Sequence, residues 1–276
     1  MNKLLCANFS RLRKNKAFWI CIIAMAAISV LMVIGIWKQS VRYDTVVFID
    51  NIFFSYASLC GIVCAAFISL YLGTEYSDGT MRNKLVIGHK RTDIYLANFI
   101  TASAAGILIC LSYILIVCVM GIPLFGFFKA DAAIVLIHLL LSFLMVIAMV
   151  AVFTLLSMLN QNKAVVSVIS IIGIFALLLL ASYIASRLDE PEYTRAYVMS
   201  EDSDVSGEDL IPNPRYLSGS KRDAYQFLLE FLPTGQALII NNMSAQHWWQ
   251  MALCSLSITA AATAGGICAF RRKDIK

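Results

Sequence analysis

The chain has 276 residues, of which 60% are hydrophobic and 14% charged. Its apolar residues gather into long uninterrupted runs, which excludes an ordinary soluble domain, whose helices would be shorter and amphipathic. The net charge of +5 does not point to nucleic acid, because the basic residues flank the apolar runs, where they meet anionic lipid.

Residues 1–16 are polar and basic, with Leu4, Leu5, Phe9 and Leu12 at helical spacing. This predicts an amphipathic helix lying on the inner membrane surface. Six apolar stretches follow, at 17–37, 52–72, 94–120, 132–157, 164–184 and 248–270. Each reaches the roughly 20 residues that a membrane-crossing helix needs. None carries Asp, Glu, Lys or Arg in its middle. The first is too long for a signal-peptide core and no small-residue cleavage site follows it, so it reads as a retained helix. Phe18, Trp19, Trp37, Trp248 and Trp249 fall where interfacial aromatic belts belong.

Between the stretches, residues 38–51 form a short outer loop and 73–93 an inner one. The third stretch exceeds what a bilayer requires, which predicts tilt or inward projection. Gly121, Pro123 and Gly126 mark its outer stop. Residues 159–163 make a tight polar inner turn. The last outer segment, 185–247, divides in two. Its part 187–223 is rich in Asp, Glu, Ser, Gly and Pro, favouring an extended or loosely folded excursion. Two short apolar pieces then flank Pro233 and Gly235, which break the helix between them. Neither piece can span. They predict a re-entrant helical hairpin dipping in from outside, with an amphipathic helix on the outer surface as the alternative.

Placing the N-terminus inside leaves 14 Lys and Arg on inner segments and 8 on outer ones, five of the eight in the long loop. Long loops count least in the positive-inside rule. Both termini are therefore expected in the cytoplasm, and the chain in the cell membrane as a multi-pass protein. The fold class expected is an all-α membrane protein forming one transmembrane domain over residues 1–276.

The polar chemistry is sparse. None of the eight cysteines lies in an outer loop, so a disulfide framework is not expected. Cys60 and Cys64 share a helix face and read as small packing residues rather than a metal or redox pair, since no His or carboxylate has matching spacing. His138 is the one titratable group of this kind inside a span, and reads as a neutral, hydrogen-bonded packing histidine. Ion-coupled carriers usually place Asp, Glu or Lys at membrane depth, whereas Asp50, Glu75, Asp93 and Asp131 sit at span ends here. No intramembrane-protease motif and no phosphate-binding Gly-x-x-x-x-Gly-Lys-Ser/Thr loop is present. The run Asp202-Ser-Asp204-Val-Ser206-Gly207 matches the first half of a calcium loop, but Asn213 stands where the bidentate Glu belongs. Ala260 to Ala264 with Gly265 and Gly266 permit close helix packing, within the chain or across a dimer.

The most specific stretch is Gly73-Thr-Glu75-Tyr-Ser-Asp78-Gly79-Thr80-Met81-Arg82-Asn83-Lys84-Leu85. Asp78 is placed to cap a short helix beginning near Gly79, and Thr92 or Asp93 to cap the third span. The short helix carries Met81, Leu85 and Val86 beside Arg82 and Lys84, a compact amphipathic element suited to docking a soluble partner. The stretch resembles the Glu-x-x-x-Gly-Thr-x-Arg-x-x-Leu pattern of the ABC transporter type-2 permease family. The run Phe231-Leu-Pro-Thr-Gly-Gln236 also resembles the segment that many such permeases carry before the last span. The acidic insert 189–223 is longer than a minimal member of that family needs.

The resemblance implies a permease subunit that pairs with a second permease, identical or homologous. It implies two copies of an ATP-binding subunit as partners, with ATP and Mg held there and no cofactor in this chain. It makes Glu75 through Leu85 the coupling element, with Arg82 and Lys84 in polar contacts with the ATPase and Met81 and Leu85 filling a groove. The chain itself is then not an enzyme. The aromatic second span, with Phe53, Phe54, Tyr56 and Phe67, suggests a hydrophobic or amphipathic cargo such as a peptide or drug. An ion-coupled carrier, and a membrane anchor or sensor recruiting a soluble partner, are the rival classes.

Overall fold

The computed structural model describes residues 1–197 and 208–273. Its elements in chain order are α1 (Asn2–Lys14), α2 (Lys16–Tyr43), α3 (Asp50–Phe53), α4 (Tyr56–Ser77), α5 (Thr80–Val86), α6 (Arg91–Phe125), α7 (Ala132–Leu159), α8 (Lys163–Leu188), β1 (Tyr193–Tyr197), β2 (Glu208–Pro212), α9 (Ser220–Phe231), α10 (Pro233–Asn241) and α11 (Trp248–Arg272). Six helices are long and apolar enough to cross a membrane, with α3 and α4 counted as one span. The protein is a multi-pass, helical membrane protein. α1, the end of α11 and the loops 78–90 and 160–162 share one face, called here the terminal face. Residues 44–55, 126–131, 189–197 and 208–247 share the other, distal face.

The spans are not equivalent. In the α3–α4 span 67% of the apolar window is buried, and in α7 56%, against 22–28% in the other four. α4 and α7 are therefore the hub, and α2, α6, α8 and α11 pack around them. Small residues set how closely they approach. A Cβ added at Gly106 on α6 would lie 3.2 Å from Val146 and Val150 of α7, and one at Gly73 would lie 2.4 Å from the Lys163 side chain at the start of α8. The small-residue run of α11 divides between two faces. Ala262 and Gly266 pack on Tyr95 of α6, while Gly265 faces open space. Close packing within the chain thus uses one face of that run.

Several boundaries differ from the sequence reading. α2 runs past Trp37 to Tyr43 and stops where Asp44 turns left-handed, at φ 49°. Asp tolerates that region better than most residues. The second span is broken at Phe54 and Ser55, leaving α3 as a single turn before α4. α6 continues through Gly121 and Pro123 and ends only at Gly126, whose φ is +79°. At 35 residues it measures about 52 Å by the helical rise, well beyond a hydrocarbon core of about 30 Å. The excess places its first two turns among the polar residues of the terminal face.

Within the segment expected to be extended or loosely folded, residues 193–197 and 208–212 are extended and paired. β1 and β2 pair antiparallel from Tyr193↔Pro212 to Tyr197↔Glu208. Asn213 closes the base of this ribbon, donating through Nδ2 to Glu190 Oε2 at 2.9 Å and to the Pro191 carbonyl at 3.0 Å. The candidate calcium run Asp202 to Gly207 lies outside the described residues.

α9 and α10 form a helical hairpin against α7, α8 and α4. The chain turns at Leu232, which is extended at ψ 127°, and Pro233 then opens α10. Proline suits the first helical turn because its missing N–H would be unpaired there anyway. Gly235 does not break the helix. It lies inside α10, where a Cβ would come within 2.1 Å of the Leu229 carbonyl oxygen. Only glycine permits that approach of α10 to α9.

Candidate functional site

The polar residues of the terminal face converge on Glu75, in the last turn of α4, whose side chain has no exposure. Lys84 of α5 donates to Glu75 Oε1 at 2.6 Å, and Arg11 of α1 reaches the same oxygen at 2.6 Å. Asn98 of α6 donates to Oε2 at 2.8 Å. The ring then closes, because Asn8 of α1 donates to Asn98 Oδ1 at 2.7 Å and accepts from Lys84 Nζ at 3.0 Å. Four residues on four helices therefore form a closed hydrogen-bonded cycle. Tyr71 donates to the Asn8 carbonyl at 3.1 Å, and the Arg11 guanidinium stacks 4.0 Å above the Tyr71 ring.

The cycle explains the local structure around it. α1 buries Leu4, Asn8 and Leu12 on one stripe, and that stripe packs on α6. The helix is amphipathic as expected, with its apolar stripe buried against protein and Phe9 left exposed. Burial pulls the Lys84 ammonium below the usual lysine range, and the Glu75 carboxylate works against that pull. A buried carboxylate is tolerated when cations and amides satisfy its lone pairs. Here both oxygens are satisfied.

α5 follows a left-handed Gly79, at φ +66°, which is its N-cap. Asp78 does not cap it: no side-chain cap bond forms, and Asp78 instead ends α4. Thr80 donates through its hydroxyl to the Glu75 carbonyl at 3.0 Å, which ties the start of α5 to the end of α4. Lys90 rather than Thr92 or Asp93 stands at the N-cap of α6. Met81 is buried and Leu85 half-buried against the core. The inward direction of Met81 and Lys84 is a correction to the expected outward set. Arg82 and Asn83 do face outward, followed one turn later by Val86 and Ile87, which are 78% and 75% exposed. Residues four apart lie on one helical face, so this is a small apolar patch beside a guanidinium and an amide.

The last span is tied to the same region. Lys273, just past α11, donates to the Tyr76 hydroxyl at 3.1 Å and to the Met158 carbonyl at 3.0 Å. Burial lowers its pKa to about 8. Arg91 of α6 donates to the carbonyls of Phe270, at 2.9 Å, and Lys273.

On the distal face Glu230 of α9 is also buried. Its Oε1 accepts from Gln226 at 2.9 Å and lies 3.0 Å from His247 Nδ1. Gln236 of α10 donates to the carbonyls of Glu230 and Met251 and accepts from the Ser255 hydroxyl at 2.7 Å. Thr234 donates to the Leu177 carbonyl of α8 at 3.0 Å. His138 is buried, with Nδ1 2.8 Å from the Ile134 carbonyl and Nε2 accepting from the Ala245 amide at 3.4 Å. That pattern requires the neutral tautomer with its proton on Nδ1.

The aromatics of the second span line no open pathway in this conformation. Phe53, Phe54, Tyr56 and Phe67 are all buried. Phe53 packs on Phe128, Phe54 on His138 and Phe67 on Phe18 and Tyr71. Cys60 and Cys64 are buried on α4, with Cys64 beside Gly106 of α6.

Sequence reasoning found Glu75 and the α5 segment but missed Asn8, Arg11 and Asn98. The signal was present. Asn8 interrupts the apolar stripe Leu4–Leu12, and Asn98 interrupts the third apolar run. A buried amide needs partners.

Residues 3–199 match the family model described as ABC-2 type transporter. No curated protein matches the chain.

Proposed function

The chain belongs to the ABC-2 type transporter family, and from that premise we propose that α5 is the element through which it takes up work from its ATPase. Membership makes the protein a transmembrane ABC transporter permease, whose partner is an ABC ATP-binding subunit. The finer reading is an ATP-driven exporter in the cell membrane with both termini in the cytoplasm. It holds two permeases, identical or homologous, and two ATPase subunits that carry ATP and Mg. The hairpin α9–α10 is re-entrant from the outer side.

One observation carries the coupling assignment. Val86 and Ile87 are exposed on a polar face beside Arg82 and Asn83, while the opposite side of α5 is tied through Lys84 to α1 and α4. An exposed apolar pair rimmed by polar groups is what a protein partner buries. A push on that face reaches the hub helix α4 through the Lys84–Glu75 pair and the Thr80 hydroxyl bond to the Glu75 carbonyl. The contact set is therefore Arg82, Asn83, Val86 and Ile87, with Glu75, Met81 and Lys84 behind it.

The cargo reading is a hydrophobic or amphipathic molecule, such as a toxic peptide or drug. The exposed apolar residues of α2 and α8, among them Ile20, Ile23, Leu31, Ile172 and Leu179, are what any lipid-facing span shows and give that reading no particular support. The buried aromatics of the second span lend it none either.

The test is the double variant Val86→Asp/Ile87→Asp in the assembled transporter. Its expected result is loss of co-purified ATPase at unchanged permease abundance. ATPase recovery and activity equal to wild type would sink the docking assignment.

A further inference from the structure

On the terminal face, two spans have their C-terminal ends capped by side chains from other spans. The last four carbonyls of a helix have no partner inside it. In α7 the Leu156 carbonyl is met locally, by Asn160 Nδ2 at 3.0 Å. The Met158 carbonyl is met from outside. It accepts from the Tyr76 hydroxyl of α4 at 2.5 Å and from Lys273 Nζ, just past α11, at 3.0 Å. Lys273 Nζ also donates to the Tyr76 oxygen at 3.1 Å and lies 4.3 Å from the Tyr76 ring centroid. The end of α11 is capped in turn by Arg91 of α6, which donates to the carbonyls of Phe270 and Lys273. Cations at C-terminal ends also complement the helix dipole. α6 thus holds the end of α11, while α4 and the tail of α11 hold the end of α7.

Met158 is where this clasp meets the Glu75 cycle. Its sulfur lies 3.6 Å from Asn98 Nδ2, the same amide that donates to Glu75, and Tyr76 follows Glu75 directly in the chain. A shift of the α4 end either carries Met158 and Lys273 with it or breaks the Tyr76 bonds to both. Stability alone gives little reason for an ammonium at this place. Burial works against its charge, and an apolar side chain of similar length would be buried without that cost.

We propose that Lys273 is a positioning residue for coupling: through Tyr76 and Met158 it makes the last span follow the end of α4 when the ATPase moves it. This rests on the ATPase engaging the terminal face, as proposed above, and adds the route from that face to α11.

Two native cysteines serve as reporters. Cys6 is exposed on α1, and Cys268 is exposed one turn before the end of α11. Their maleimide labelling rates are read by mass spectrometry in the transporter purified with its ATP-binding subunit, first without nucleotide and then trapped with ATP and vanadate. Trapping is expected to change both rates by about fivefold, the low end of ordinary coupling energies. Lys273→Met should remove the response at Cys268 alone, with the Cys6 response and ATPase recovery as in wild type and Tm no lower. Lys273→Arg keeps a cationic donor and should restore the Cys268 response. Tyr76→Phe removes the bridging hydroxyl and should weaken that response, which keeps the test open if Lys273→Met does not assemble. A Cys268 response that survives Lys273→Met, or that Tyr76→Phe leaves unchanged, overturns the proposal. The absence of any nucleotide response at Cys268 in wild type overturns it too. Loss of both responses in Lys273→Met does the same, because the residue would then hold the fold rather than position α11. Failure of the α5 reading looks different: Val86→Asp/Ile87→Asp would keep its ATPase and both responses.

Discussion

Glu75 and Glu230 are both buried carboxylates, one near each face, yet they are met by different chemistry. Glu75 has a guanidinium, an ammonium and an amide around it. Glu230 has one amide and a half-exposed histidine. Around Glu75 the helices are joined by charge. Around Glu230 they are joined by amides, hydroxyls and the close approach at Gly235. The terminal face is thus built to keep α1, α4, α5 and α6 together under load. The distal hairpin is held by weaker, mostly neutral bonds, which are each worth about 1 kcal/mol.

The largest expected effect breaks the charged side of this comparison. Glu75→Gln leaves Arg11 and Lys84 without a counter-charge, and removing one partner of a buried ion pair typically costs about 3–5 kcal/mol. Because Arg11 keeps some solvent contact, a loss near 3 kcal/mol is expected in thermal unfolding. Glu230→Gln should cost less than half of that. Equal losses at the two positions would remove the distinction.

The next effect probes packing on the distal side. Gly235→Ala sets a Cβ against a backbone carbonyl that cannot rotate away. Overpacking of this kind costs about 1–3 kcal/mol. Faster hydrogen exchange should appear in α9 and α10 while α1 and α5 keep theirs. Uniform acceleration across both faces would show that the hairpin is not a separable unit.

The smallest effect concerns Lys273. Its pKa of about 8 lies below the ordinary lysine value of 10.5, so the folded state binds fewer protons than the unfolded one between those two values. Stability should therefore rise as pH increases from 8 towards 10.5. Amine-reactive labelling of Lys273 should show a midpoint near pH 8. A midpoint above 10 would mean that burial at the end of α11 is lost in solution.

Much of this was legible in the sequence. Long apolar runs demand membrane burial, and that demand needs no knowledge of neighbours. The proline at 233 marked a turn for an equally local reason, since it cannot donate inside a helix. The Glu75–Leu85 segment was legible as a unit through its family pattern. The direction of its side chains was not. Met81 and Lys84 read as outward because a seven-residue helix carries too few positions to define a buried face.

Composition and periodicity by themselves determined six spans, a short amphipathic first helix and a break at Pro233 before the last span. Tertiary structure alone decided that α4 and α7 form the hub, that Asn8 and Asn98 meet Glu75, and that Lys273 reaches Met158. The physical reason is range. Apolar burial is fixed by runs of neighbours in sequence, whereas the polar contacts at Glu75 include a pair 90 positions apart, and the chain has no local feature that records which distant donor will meet which acceptor.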